Sequence, residues 1–274
     1  MEIEKIVRSC LDSTYLKYRY SGSCKFKKNY LNKNRFELLS YTTQPALLQH
    51  NVNTLMASLN EYFVIPYEIQ SVIFEDSRAN RPPPIIAVEE RKNGTSLKLY
   101  SSYTEHVMEF VMLPDEPIIR PIPLYTGYKW KIDAPHKYEL DTYTALPVKS
   151  RKSILDIIKD EPFFHKALEE AFKLSEGTMR ELLFSEVAGL EGDRKSHDIS
   201  FVNEKIPMKE MTDCTQYLCN YFDIKREDAE DITEHLDGQF LTFIQGGIDN
   251  KGEEFLSYYY CEEDQLANNL QEIS

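Results

Sequence analysis

The chain has 274 residues, 42% hydrophobic and 28% charged, the balance of a folded globular protein with room for a substantial core. Its net charge of −13 argues against nucleic acid as a partner, because phosphate backbones call for a basic footprint. No apolar run reaches membrane-spanning length, residues 1–20 lack the apolar heart of a signal peptide, and five cysteines without a C-x-x-C pair read as free thiols in a reducing cytoplasm.

In chain order, Ile3, Ile6, Val7, Cys10 and Leu11 share one face of a helix over 3–18. A first β-hairpin follows over 21–41. A helix over 45–63 then carries Leu47, Leu48, Val52, Leu55, Met56 and Leu59 and stops before Pro66. Prolines 82–84 reset the chain into extended form ahead of a second hairpin over 85–101. Residues 103–126 are studded with Pro114, Pro117, Pro121 and Pro123, which leaves room for at most a short helix over 105–112. A third hairpin spans 127–146, and a charged helical block over 149–183 breaks near Pro162 and Gly177. A fourth hairpin covers 184–203, residues 208–236 include an acidic helix face, a fifth hairpin covers 240–260, and the tail over 262–273 is helical.

Each hairpin sets Gly, Pro, Asn or Asp between β-branched and aromatic runs. A hairpin-plus-helix unit cannot cover its own apolar face, so five copies must share one core. The expected fold is α+β: a closed antiparallel barrel of about ten strands ringed by helices, in one domain over 1–274.

A Gly-rich phosphate loop, G-x-S-x-G, H-E-x-x-H and G-x-G-x-x-G are all missing, and the six histidines are scattered. The run Glu227-Asp228-Ala229-Glu230-Asp231 loosely resembles the aspartate-rich box of helical terpene enzymes, but it reads more simply as an acidic, solvated helix start. The hairpins are more telling. Strand alternation puts Lys98 and Tyr100 on one face, as it does Asp141 and Tyr143, and Ser257 and Tyr259; Tyr258 and Tyr260 take the opposite one. If the barrel closes, one face of every return strand lines the lumen, and Arg35, Lys98 and several tyrosines could meet there around an anionic ligand. Alternation alone leaves open whether Arg35 and Lys98 face inward or toward solvent.

Ser23-Cys24-Lys25-Phe26 with Leu31 and Asn34-Arg35-Phe36 resembles the first hairpin of the cyanobactin peptide prenyltransferases, bacterial members of the ABBA prenyltransferases. Ser96-Leu97-Lys98-Leu99-Tyr100 is similar to their second repeat, residues 127–143 to their third, and the ending Tyr258-Tyr259-Tyr260 to their last strand. The resemblance implies transfer of a dimethylallyl or geranyl group from its diphosphate, with Mg²⁺ present, to a peptide side chain such as Tyr, Trp, Arg or His. It implies that Arg35 and Lys98 grip the diphosphate and that Tyr100, Tyr143 and Tyr259 shield the allylic cation. The family's glutamate base falls at Ser21, which cannot take a proton comparably, so Asp249, Glu89 and Asp141 are the candidate acids. The expected protein is a cytoplasmic monomer with no nucleic-acid or membrane partner. Three other readings stand beside it: an aromatic or indole small-molecule prenyltransferase of the same fold, a non-catalytic barrel that binds a peptide or hydrophobic ligand, and an open-sheet interaction protein.

Overall fold

The computed structural model describes residues 2–103, 118, 120–175, 183–190 and 193–267. Ten antiparallel strands hydrogen-bond into a closed barrel in the order β1-β10-β9-β8-β7-β6-β5-β4-β3-β2. The strands are β1 (Lys17–Lys27), β2 (Tyr30–Tyr41), β3 (Ile85–Arg91), β4 (Gly94–Ser102), β5 (Ile122–Lys131), β6 (Ala134–Ala145), β7 (Phe184–Gly189), β8 (Lys195–Ser200), β9 (Phe240–Ile248) and β10 (Glu254–Cys261). These are the five anticipated hairpins, and closure leaves no sheet edge, which removes the open-sheet reading.

The helices among the described residues are α1 (Glu2–Asp12), α2 (Leu48–Tyr62), α3 (Tyr67–Arg78), α4 (Arg151–Ile157), α5 (Pro162–Leu174), α6 (Thr212–Tyr221), α7 (Arg226–His235) and α8 (Glu263–Ala267). None of them is long and apolar enough to cross a membrane. The first helix stops short of the expected residue 18. Ser13 Oγ and Thr14 Oγ1 donate to the carbonyls of Cys10 and Leu11 at 2.7 Å, ending the helix, and the alternating residues from Lys17 onward enter β1. The sequence reading also missed α3. Pro66 precedes its first turn as a helix starter rather than only closing the helix before it, and Ile69 and Ile73 supply its buried stripe.

The 149–183 block divides into α4 and α5 around Pro162, which takes the first helical position of α5. Its second expected break, at Gly177, and the short helix over 105–112 lie outside the described residues. β5 starts five residues earlier than the third hairpin was expected to begin. Pro123 is accommodated at its exposed start, ahead of the rungs paired with β4.

Contacts divide the chain into two compact units, one of the described parts of 1–20, 34–108 and 123–143, the other of those of 21–33, 109–122 and 144–274. In the first unit, Leu55, Met56 and Leu59 of α2 and Ile69 and Ile73 of α3 pack on Phe36, Leu38, Ile86, Val88, Leu97, Leu99 and Trp130. That apolar face of the wall is therefore covered by helices. In the second unit, Phe163, Phe164, Leu168 and Phe172 of α5 and Leu218 of α6 pack with Phe26, Phe184, Ile244, Leu256 and Tyr258. Gly246 leaves room for the Phe164 ring, since a Cβ there would come within 2.7 Å of Phe164 Cγ.

Candidate active site

Because β2 to β5 give alternate residues to the helix-covered face, the residues between them occupy the opposite, interior face of a closed barrel. Strand register orders that face into rungs. Arg35 pairs with Glu89 and Glu89 with Ser96; Glu37 pairs with Ala87, Ala87 with Lys98 and Lys98 with Lys129; Leu39 pairs with Ile85, Ile85 with Tyr100 and Tyr100 with Gly127. On the helix-covered face, Ser101 Oγ donates to Asp76 of α3 at 2.5 Å, and Arg81 holds the same carboxylate at 2.7 Å. This fixes β4 so that Lys98 and Tyr100 keep their inward aim.

A cationic cluster gathers around the buried carboxylate of Glu89: Arg35 is its register partner, Arg91 is two residues on along β3, and Lys129 reaches it from the next rung. Glu89 meets Arg35 Nε at 3.6 Å, Arg91 Nη2 at 2.8 Å and Lys129 Nζ at 2.5 Å. Three cations gather on one carboxylate, and the Arg35 side chain is only 13% exposed. Burial, reinforced by Arg91, holds the Lys129 ammonium below its ordinary pKa despite its carboxylate partner. The wall thus concentrates positive charge in an acidic protein, where an anion with several oxygens would find guanidinium and ammonium donors together.

The next rungs build an aromatic cage. Tyr100, Tyr125 and Tyr143 meet edge to face, with ring centroids 5.6 to 6.4 Å apart. Lys98 Nζ donates to Asp141 Oδ2 and to Tyr143 Oη, both at 2.9 Å, and lies 4.7 Å from the Tyr100 centroid and 5.1 Å from that of Tyr143. Gly127 makes this possible: a Cβ there would fall 2.4 Å from Lys98 Cε and 3.4 Å from Tyr100 Cδ1. The cage is therefore a surface that already accommodates a positive charge.

Glu37 lies on the rung that carries both Lys129 of the cluster and Lys98 of the cage. It is half-buried, flanked by Arg35 and Lys98, and has neither a hydrogen bond nor an ion pair among the described residues. Burial raises its pKa to about 7 against the pull of the two cations.

Of the residues singled out from sequence, the structure brings Arg35, Glu89, Lys98, Tyr100, Asp141 and Tyr143 into this one wall. Lys98 contacts a carboxylate and a tyrosine, while Arg35 sits with Glu89. The sequence reading missed Arg91, Lys129, Tyr125, Gly127 and Glu37. The i, i+2 step from Arg35 to Glu37 and from Tyr125 to Gly127 was the available signal.

Asp249, Tyr259 and Ser21 belong to the second unit. Asp249 follows β9 in a turn, taking the Lys27 ammonium at 2.6 Å and the backbone N–H groups of Lys251 and Glu253 at 2.8 and 3.1 Å. Burial works to raise its pKa, but these donors outweigh it and hold the carboxyl low. The Tyr259 ring meets Phe243 at 6.2 Å, and Ser21 Oγ lies 3.3 Å from both Thr242 Oγ1 and the Tyr260 carbonyl oxygen. The acidic run opens α7, where Arg226 pairs with Glu230 and Lys33 with Asp231.

The described residues offer no ready-made cage for the magnesium that the resemblance implies. No group of three or more His, Cys, Asp or Glu side chains among the described residues could hold a metal ion. In the wall, Glu89 is taken by three cations and Asp141 by Lys98, which leaves Glu37 as a lone carboxylate flanked by Arg35 and Lys98.

No protein-family model matches the chain, and no curated protein matches it in sequence. Its closed ten-strand barrel is the ABBA prenyltransferase fold. The solved structures that share the fold include NotF prenyltransferase, at TM-score 0.55 and 9% identity over 89% of this chain and 80% of that one. The 6-dimethylallyltryptophan synthase from Micromonospora olivasterospora, solved with DMASPP and Trp, aligns at TM-score 0.52 and 12% identity over 88% and 81%. AnaPT from Neosartorya fischeri aligns at TM-score 0.51 and 10% identity over 89% and 78%. NotF has also been solved in complex with brevianamide F and DMSPP.

Proposed function

We propose that the protein is a prenyltransferase that moves an allylic group from its diphosphate to an aromatic or N–H-bearing small molecule. The observation that carries this reading is the pairing of a three-cation cluster at Glu89 with a three-tyrosine cage one rung beyond Glu37. Diphosphate charge, which grows as the C–O bond breaks, would be met by Arg35, Arg91 and Lys129. The allylic cation left behind would face the rings of Tyr100, Tyr125 and Tyr143, whose π faces stabilise positive charge and keep water from it. In this division of labour Lys98 is the cage's own cation, held by Asp141, and it moves toward the diphosphate only if that pair opens. Magnesium is assigned no step.

The tryptophan and brevianamide F found with the fold's other members favour an aromatic small molecule over the peptide side chain first inferred from sequence. The reading of a non-catalytic binding barrel is separated by turnover. The test incubates the protein with dimethylallyl or geranyl diphosphate and a panel of tryptophan, tryptophan-containing cyclic dipeptides, tyrosine, and peptides bearing Tyr, Trp, Arg or His, with and without Mg²⁺. Mass spectrometry should find one prenyl group added to an aromatic acceptor. A protein that the diphosphates stabilise thermally but that prenylates nothing is a binding barrel.

A further inference from the structure

We propose that Glu37, on the rung that joins the cationic cluster to the tyrosine cage, receives the proton that the acceptor loses when it is alkylated. The inference rests on the transfer reading above and goes beyond it by assigning a base that the sequence reading sought at Asp249, Glu89 and Asp141. Those three carboxylates are occupied: Glu89 by Arg35, Arg91 and Lys129, Asp141 by Lys98, and Asp249 by Lys27 and a turn backbone. A carboxylate held by a cation is a weak base, because protonation would forfeit the ion pair.

Glu37 differs in each respect. It has no hydrogen bond or ion pair to lose among the described residues, and its register neighbour on β3 is the small Ala87. Arg35, of the cationic cluster, is two residues away along β2, and on β4 the same step separates Lys98 from Tyr100 of the cage. Two residues of strand span roughly 7 Å, so a group on this rung lies between the leaving diphosphate and the allylic cation. The charged groups that act on it are Arg35 on its own strand and Lys98 on β4, and the same wall carries Glu89 and Arg91 on β3, Lys129 on β5 and Asp141 on β6. A carboxyl that titrates at about 7 is matched to proton transfer at neutral pH.

The step balances as follows. The C–O bond of the allylic diphosphate breaks and its electron pair leaves with the diphosphate. An electron pair of the acceptor forms the new bond to the allylic carbon. The acceptor then sheds a proton, which the Glu37 carboxylate takes and returns to solvent.

The test compares wild type with Glu37→Gln and Glu37→Asp on the panel acceptor that the wild-type protein prenylates, alongside binding of the non-ionising thiolodiphosphate analogue DMSPP. Glu37→Gln should bind DMSPP within about threefold of wild type, since glutamine keeps the shape. Its turnover should fall by about a hundredfold or more, and the loss of rate below about pH 7 expected of wild type should vanish. Glu37→Asp should keep that acidic limb with a lower maximum. It carries the test alone if the glutamine variant fails to fold. Glu37→Gln with near-wild-type turnover, or with the acidic limb intact, overturns the assignment and leaves the transfer reading standing. Wild-type protein that neither binds DMSPP nor prenylates anything overturns the transfer reading, and this role with it.

Discussion

Asp141→Asn should be among the most destabilising single changes in the wall, and its size can be worked from the geometry. Asp141 is 1% exposed and Lys98 11%, and their ammonium–carboxylate contact is 2.9 Å. Breaking a buried ion pair by removing one partner costs about 3–5 kcal/mol, because the other charge stays buried without compensation. For a chain of this size each kcal/mol moves the melting temperature by roughly 2–4 °C, so the midpoint should fall by about 6–20 °C. Trp130, the only tryptophan, is 2% exposed in the helix-covered core and gives a fluorescence signal for the melt. Removing both charges, with Asp141→Asn and Lys98→Met together, should recover much of the loss, since no orphaned charge remains. An asparagine variant that melts within about 2 °C of wild type, or a double variant no more stable than the single one, would refute the claim that Lys98 is held by this carboxylate.

Gly127→Ala should press on Lys98 Cε, 2.4 Å from the new methyl, and force the ammonium out of its place between the tyrosine rings. The side chain can bend, so a cost of about 1–3 kcal/mol is expected in thermal unfolding, below that of Asp141→Asn. Glu161, which precedes α5, is pushed up to about 7 by burial and by the nearby charges of Glu254 and Asp160. The sign follows from a raised acid: at pH 5 the folded protein holds the proton and suffers little, whereas above its unfolded value near 4.5 the cost grows and is complete past pH 7. Glu161→Gln should therefore stabilise the protein at pH 8, by up to about 3 kcal/mol, and do much less at pH 5 when both are measured by denaturant unfolding.

Much of the barrel was legible because hairpins announce themselves. A turn residue between alternating apolar runs fixes both partners and their register, and five such pairs have few ways to hide their apolar faces. The helices were less legible at their ends. Ser13 and Thr14 stop α1 through side-chain bonds to carbonyls that no periodicity displays, and Pro66 serves two helices at once. Within the site, strand alternation put Lys98 with Tyr100 and Asp141 with Tyr143, each pair on one face of its strand. What alternation could not say was which cation meets which carboxylate. That depends on register across β3 to β5, where Glu89 gathers Arg35, Arg91 and Lys129. Gly127 marks only the expected start of the third hairpin in the sequence, and the Lys98 stem lying over it shows why a side chain is excluded.

Calorimetric titration of DMSPP into wild type, Arg35→Ala and Lys129→Met tests most directly whether the Glu89 cluster is the diphosphate cradle. The account predicts saturable binding to wild type that weakens by roughly tenfold or more in each variant, as loss of one charge-assisted contact implies. Wild type that gives no binding heat, or variants that bind the analogue as tightly as wild type, would contradict it.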